Sequence, residues 1–220
     1  MKHKILFVHG FGVKKDARGM FSEMKDSFEQ NTNTECTLVD LNTVQNGSND
    51  IYLNPLSKQV EILKQVYGEL ASDDSTIDLI CHSQGCVVGS MAKLPNIRQV
   101  FLLAPPTNND VEKTIHSFLE RPGTTIDLEG ESTLVRKDGS RTFVPKEYWD
   151  EREELDYITE YVALSKRDKV TVILGKQDEV VSNEKIAESL PAATVITVDG
   201  NHNFEGPSRQ ELIEVIKNNL

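Results

Sequence analysis

The sequence is poor in the features that mark whole classes of protein. Cysteine occurs only three times in 220 residues, at Cys36, Cys81 and Cys86. So small and odd a number does not build the disulfide framework of a secreted scaffold, and it fits a reducing compartment. No apolar run approaches the roughly 20 residues that a membrane-spanning helix needs. The run Ile5 to Val8, behind Lys2 and Lys4, is too short for the core of a signal peptide. A cytoplasmic location is therefore expected. Positive charge is scarce: 24 Lys and Arg stand against 35 Asp and Glu, a net charge of −11. Nucleic acid and anionic membrane are thus not expected partners. Neither a G-x-G-x-x-G nor a Walker sequence is present, so no nucleotide cofactor is expected. There is no internal repeat and no low-complexity stretch.

What is present is the composition of an ordinary globular chain, 38% hydrophobic and 27% charged, at a length that suits one α/β domain with an insertion. Short continuous apolar runs recur: 4–8, 36–41, 77–80, 100–104, 170–174 and 194–198. Such runs suit strands buried on both faces of a parallel sheet. Helical periodicity separates them. Phe21, Met24 and Phe28 mark a helix over about 17–30, and Val60, Leu63, Val66, Tyr67 and Leu70 one opened by Pro55. Ile186, Ala187 and Leu190 mark another, and Leu212, Val215 and Ile216 the last. The Asn-, Gly- and Ser-rich stretch 42–54 reads as loop. Strands alternating with helices predict a mainly parallel, about six-stranded sheet with right-handed crossovers and helices on both faces.

The third run ends in Cys81-His82-Ser83-Gln84-Gly85, followed by small and apolar residues at helical spacing. Strand, sharp turn and helix put a serine hydroxyl at the carboxyl end of a parallel strand. This stretch resembles the nucleophile elbow of the α/β-hydrolase family, with Cys81 where a glycine is usual. The resemblance covers 1–106 and 166–220. It implies an α/β-hydrolase fold and a serine hydrolase with the chain order serine, acid, histidine.

Residues suited to the other two roles lie just past later strands. Asp178 follows the fifth run directly, in Gly175-Lys-Gln-Asp178-Glu179. His202 follows the sixth, in Gly200-Asn-His202-Asn-Phe204. Both loops leave the sheet edge that carries Ser83, the edge where open α/β sheets bind ligands. Asp110, after the fourth run, is the alternative acid. Asp178 could instead cap a helix beginning near Asn183. His3 and His116 have no motif around them, and His82 is expected to pack under the turn. The first run ends in His9-Gly10-Phe11-Gly12, which resembles the family's oxyanion loop. The implied oxyanion donors are the backbone N–H groups of Phe11 and Gln84.

Residues 107–165 break the alternation. Asp138-Gly139 between Thr133–Lys137 and Ser140–Val144 signals a two-residue hairpin turn. Leu155, Ile158, Tyr161 and Val162 mark a helix after the acidic run 150–154. A hairpin and a helix cannot bury their apolar faces alone, so Leu134, Phe143, Trp149 and the helix face are expected to roof the site as a lid insertion. The expectation is a hydrolase that cleaves a small carboxylic ester or thioester through Ser83, His202 and Asp178 and an acyl-enzyme. It requires no metal and no organic cofactor. Two alternatives are an amidase or peptidase using the same triad, and a non-catalytic binding protein on this fold. Reactive-thiol chemistry is disfavoured, because Cys81 falls in the strand end and Cys86 in the helix.

Overall fold

The computed structural model describes residues 2–31, 33–45, 47–71, 75–181 and 186–220. Its elements in chain order are β1 (His3–Val8), α1 (Met20–Phe28), β2 (Thr34–Val39), β3 (Thr43–Val44), β4 (Ile51–Tyr52), α2 (Leu56–Leu70), β5 (Thr76–His82), α3 (Gln84–Ala92) and β6 (Ile97–Leu103). They continue with α4 (Val111–Leu119), β7 (Glu131–Val135), β8 (Arg141–Pro145), α5 (Lys146–Glu154), α6 (Tyr157–Arg167), β9 (Val170–Gly175), α7 (Ile186–Ser189), β10 (Thr194–Val198) and α8 (Pro207–Lys217).

Six strands form one sheet in the order β10-β9-β6-β5-β1-β2. Every pair in it is parallel, for example Val8 beside Cys81 and Cys81 beside Leu102. The six apolar runs of the sequence are these six strands. Ile5, Leu6, Phe7, Val8, Ile80 and Val100 are fully buried, as strands covered on both faces must be. One face packs α1 and α8, with the Phe21 ring tilted against Phe7 at 4.9 Å and Leu212, Ile213 and Ile216 beside them. The other face packs α2, α3 and α6 through Leu56, Leu63, Val87, Tyr161 and Leu164.

The chain reverses its direction of sheet growth between β2 and β5, on either side of β1. Ligands of doubly wound sheets bind in the crevice this creates beyond the strand ends. The loops after β1 and β5 meet there.

Residues 42–54 are not simply loop. They supply β3 and β4, which join β8 and β7 in a four-stranded sheet of order β3-β4-β8-β7. Ile51 lies opposite Val44 on one side and Thr142 on the other, so a local antiparallel pair is joined to a segment 91 residues away. The hairpin turn is also longer than expected. Arg136 N–H donates to Ser140 O at 2.8 Å and Gly139 N–H to Arg136 O at 3.0 Å, closing a three-residue loop over 137–139. Gly139 takes φ 81°, the left-handed position that this connection requires.

The segment 107–165 holds more than a hairpin and one helix. α4 precedes the hairpin, capped by Asp110, whose carboxylate accepts Lys113 N–H at 2.7 Å. The acidic run lies in α5. A break at Leu155 and an Asp156 cap separate α5 from α6, and α6 runs past residue 165 onto α3.

Candidate active site

Ser83 sits at the joint of β5 and α3 with φ 52° and ψ −127°, a conformation costly for any residue with a Cβ. The bonds that hold it are specific. Its N–H donates to Leu103 O at 2.9 Å, and its carbonyl accepts Cys86 N–H at 2.9 Å. Gly85 has no room for a side chain: a Cβ there would lie 2.3 Å from Val8 O and 2.6 Å from His9 O. The helix therefore starts hard against the end of β1, which aims its N-terminal dipole at the serine.

His202 and Asp178 arrive from the loops after β10 and β9. His202 Nε2 lies 3.0 Å from Ser83 Oγ, and its Nδ1 lies 2.8 Å from Asp178 Oδ2. With Nδ1–H donating to the carboxylate, Nε2 is left as the acceptor for the serine hydroxyl. Burial pushes the Asp178 pKa up, but the hydrogen bond and charge of His202 and the N–H groups of Val181 and Val180 outweigh it. The net shift is downward. The carboxylate thus closes its own turn through Oδ1 while Oδ2 holds the imidazole. The helix once expected near Asn183 lies outside the described residues.

The loop carrying His202 is itself propped. His82 Nε2–H donates to His202 O at 2.9 Å, and burial drives the His82 pKa down to about 3, so this ring is neutral. Arg209 donates to Phe204 O at 3.0 Å and to Asn203 O at 2.9 Å. His82 therefore packs under the turn, as expected. His3 Nε2 lies 2.7 Å from the carboxylate of the buried Asp78, and His116 is exposed on α4. Glu179 Oε2 accepts His202 N–H at 3.4 Å. Asp110 lines the same cavity, but its carboxylate is committed to capping α4.

The loop His9 to Gly12 forms the opposite wall. His9 is buried and bridges: its Nδ1–H donates to Gly10 O at 2.9 Å and its Nε2 accepts Leu41 N–H at 3.0 Å. Burial lowers its pKa, so it too is neutral. Gly10 abuts the end of β5; a Cβ there would lie 3.0 Å from Ser83 Cβ. Among the described residues, neither Phe11 nor Gln84 N–H has a backbone acceptor. The Phe11 ring lies 5.5 Å from Tyr148 and 6.4 Å from both Phe118 and Trp149. Arg136 Nη2 donates to Phe11 O at 3.2 Å. The insert thus grips this loop by aromatic packing and by one guanidinium.

A cavity of about 420 Å³ opens over Ser83 and His202, between the Phe11 loop, α4 and the hairpin. Sequence reasoning missed the arginines on its walls. Arg136 beside the hairpin turn was visible, but its reach to the Phe11 loop, 125 residues away, was not.

An all-parallel six-stranded sheet with helices on both faces and a strained serine at a strand–helix joint is the α/β-hydrolase fold. The family model for palmitoyl protein thioesterase matches residues 4–170, and the chain belongs to that family of hydrolases. The match spans 107–165, which the sequence resemblance had not reached, and ends before Asp178 and His202. No curated protein sequence matches. Among solved structures, the chain is similar to Est1E from Butyrivibrio proteoclasticus, at 17% identity and a TM-score of 0.70, over 99% of this chain and 86% of that one. It is similar to an esterase domain from a Rhodothermus marinus protein at 15% identity and 0.67, over 97% and 84%. A lipase-esterase related protein from Clostridium acetobutylicum is similar at 21% identity and 0.65, over 98% and 93%. Among the described residues no helix is long and apolar enough to cross a membrane.

Proposed function

We propose that the chain hydrolyses a small-molecule carboxylic ester or thioester, with Ser83 as nucleophile, His202 as general base and acid, and Asp178 as the orienting acid. The observation that carries this reading is the continuous hydrogen-bonded line Ser83 Oγ–His202–Asp178 at the floor of the cavity. Ser83 Oγ attacks the acyl carbonyl carbon while His202 Nε2 takes the hydroxyl proton. The developing oxyanion accepts hydrogen bonds from Phe11 and Gln84 N–H, which are not engaged by backbone carbonyls. Collapse breaks the C–O or C–S bond, and the leaving group departs with the proton from Nε2. Water then attacks the acyl carbon and gives a proton to Nε2; collapse breaks the bond to Ser83 Oγ, which takes that proton back as the carboxylic acid leaves. Asp178 stabilises the imidazolium in both halves.

Residues 107–165 act as the insertion that roofs the site, since α4 and the hairpin supply its upper walls. The three cysteines are buried and free, which supports a reducing, cytoplasmic setting. The test is a panel of chromogenic esters and acyl thioesters, with mass spectrometry to trap the acyl-enzyme. Ser83-dependent turnover and an acyl adduct on the Ser83 peptide are expected. Turnover that persists in Ser83→Ala would overturn the assignment.

A further inference from the structure

The chain is acidic, yet its catalytic cavity is not. Six cationic side chains line it: Arg18, Lys113, Arg121, Arg136, Lys137 and Arg152. Two carboxylates do so, and both are otherwise engaged. Asp110 caps α4, and Glu179 accepts a backbone N–H. Among the described residues none of the six cations makes an ion pair with a protein carboxylate.

Two of them are costly to keep that way. Arg152 is 8% exposed, its Nη2 reaches Thr114 Oγ1 at 2.7 Å, and its Nε has no partner among the described residues. Arg136 is partly buried, and among the described residues its guanidinium hydrogen-bonds to Thr142 Oγ1 at 3.4 Å and Phe11 O at 3.2 Å. Burial lowers its pKa to about 10, and the neighbouring charges of Arg18 and Arg121 push the same way. Asp138, the one carboxylate acting on it, is held by Ser140 N–H and Oγ at 3.0 and 2.6 Å. A cluster of like charges, part desolvated and without a counter-ion, is unfavourable unless a ligand supplies the anion. A neutral fatty acyl chain would leave it unanswered.

We propose that the catalytic pocket selects esters or thioesters carrying a second, anionic group, a carboxylate or phosphate, and that Arg136, flanked by Arg18 and Arg121, binds it. This rests on the hydrolase reading above. Arg136 Nη1 would lie 2.9 Å from a Cβ on Gly12, while Gly10 abuts Ser83. Two residues of chain span at most about 7 Å, so these contacts and the intervening Cα–Cβ bonds place the guanidinium within roughly 16 Å of the nucleophile. A guanidinium fork matches either oxyanion, and the cationic walls would draw such substrates out of an otherwise repelling field.

The test compares substrates of equal acyl length. For the carboxylate arm, p-nitrophenyl hemiadipate is set against p-nitrophenyl hexanoate. For the phosphate arm, hexanoyl-coenzyme A is set against the neutral hexanoyl-N-acetylcysteamine thioester. The wild type should favour the anionic member of at least one pair by about tenfold or more in kcat/KM at low salt, and salt should erode the preference. The arm that responds identifies the oxyanion. Arg136→Gln should cut that ratio about tenfold and Arg18→Gln a few-fold; the ratio cancels any general loss caused by loosening the Phe11 loop. A wild-type preference no greater than unity in both pairs, or one that survives Arg136→Gln, would overturn the proposal. If no substrate is turned over, the hydrolase reading fails separately, and calorimetry of Ser83→Ala with adipate and with coenzyme A decides the anion site. Binding that Arg136→Gln abolishes supports it, and absence of binding overturns it.

Discussion

The sulfur of Cys81 occupies the space that a side chain on Gly89 would need: a Cβ built on Gly89 would lie 2.5 Å from Cys81 Sγ. The elbow joins a strand to a helix at close quarters, and the residue two before the nucleophile is usually glycine. Here the extra volume of Cys81 is matched by removing one side chain from the facing turn of α3. Both residues are buried, so neither can relax outward.

That complementarity is testable by a double-mutant cycle. Gly89→Ala should destabilise the protein by about 1–3 kcal/mol through overpacking, despite the better helix propensity of alanine. In a Cys81→Ala background the same change should be close to neutral. Urea unfolding of the four proteins measures the coupling. Additive effects would show that the two sites do not share this space.

The orienting acid should be Asp178. Its Oδ2 is 2.8 Å from His202 Nδ1, whereas the Asp110 carboxylate caps α4. Asp178→Asn should lower kcat by about 10⁴-fold. Asp110→Asn should leave kcat within a few-fold and cost about 1 kcal/mol or less of stability, since asparagine also caps. Steady-state kinetics of the two variants on one substrate gives the ranking.

Acid should weaken the fold before its carboxylates titrate. His82 is buried with its pKa lowered from 6.5 to about 3, and burial shifts His9 the same way. Between those values the unfolded chain binds protons that the folded chain refuses. Stability conferred by neutral His82 is therefore complete above about pH 6.5 and is lost as pH falls toward 3. The slope is up to about 1.4 kcal/mol per pH unit for one histidine. The lowered carboxylates of Asp178 and Glu29, ordinarily near 3.8 and 4.5, act only below about pH 5.5, so pH 5.5–7 isolates the histidines. His82→Gln keeps a donor for His202 O and should flatten the urea-unfolding slope in that window. An unchanged slope would place the titration elsewhere.

The six core strands and the three residues of the hydrogen-bonded line were legible in the sequence because both signals are local. A strand buried on two faces must be apolar throughout, and each residue of the line follows such a run by a few positions. α4 also has a local signature, an Asp110 cap followed by apolar Val111, Ile115 and Phe118. The break between α5 and α6 had one as well, in Asp156 and Thr159.

Other features have no local signature. β3 and β4 are two residues each; β3 pairs with β4, and β4 joins a larger sheet through β8, whose Thr142 lies 91 residues on from Ile51. The insert was expected to roof the site, but Tyr148, Trp149, Tyr157 and Tyr161 also pack into the main core. Most of all, an overall charge of −11 gives no hint of a cationic cavity. Arg18, Arg121, Arg136 and Arg152 stand on four segments far apart in the sequence. Composition fixes the mean field of the chain. Only the folding of those segments around one crevice decides the sign of the potential that a substrate meets there.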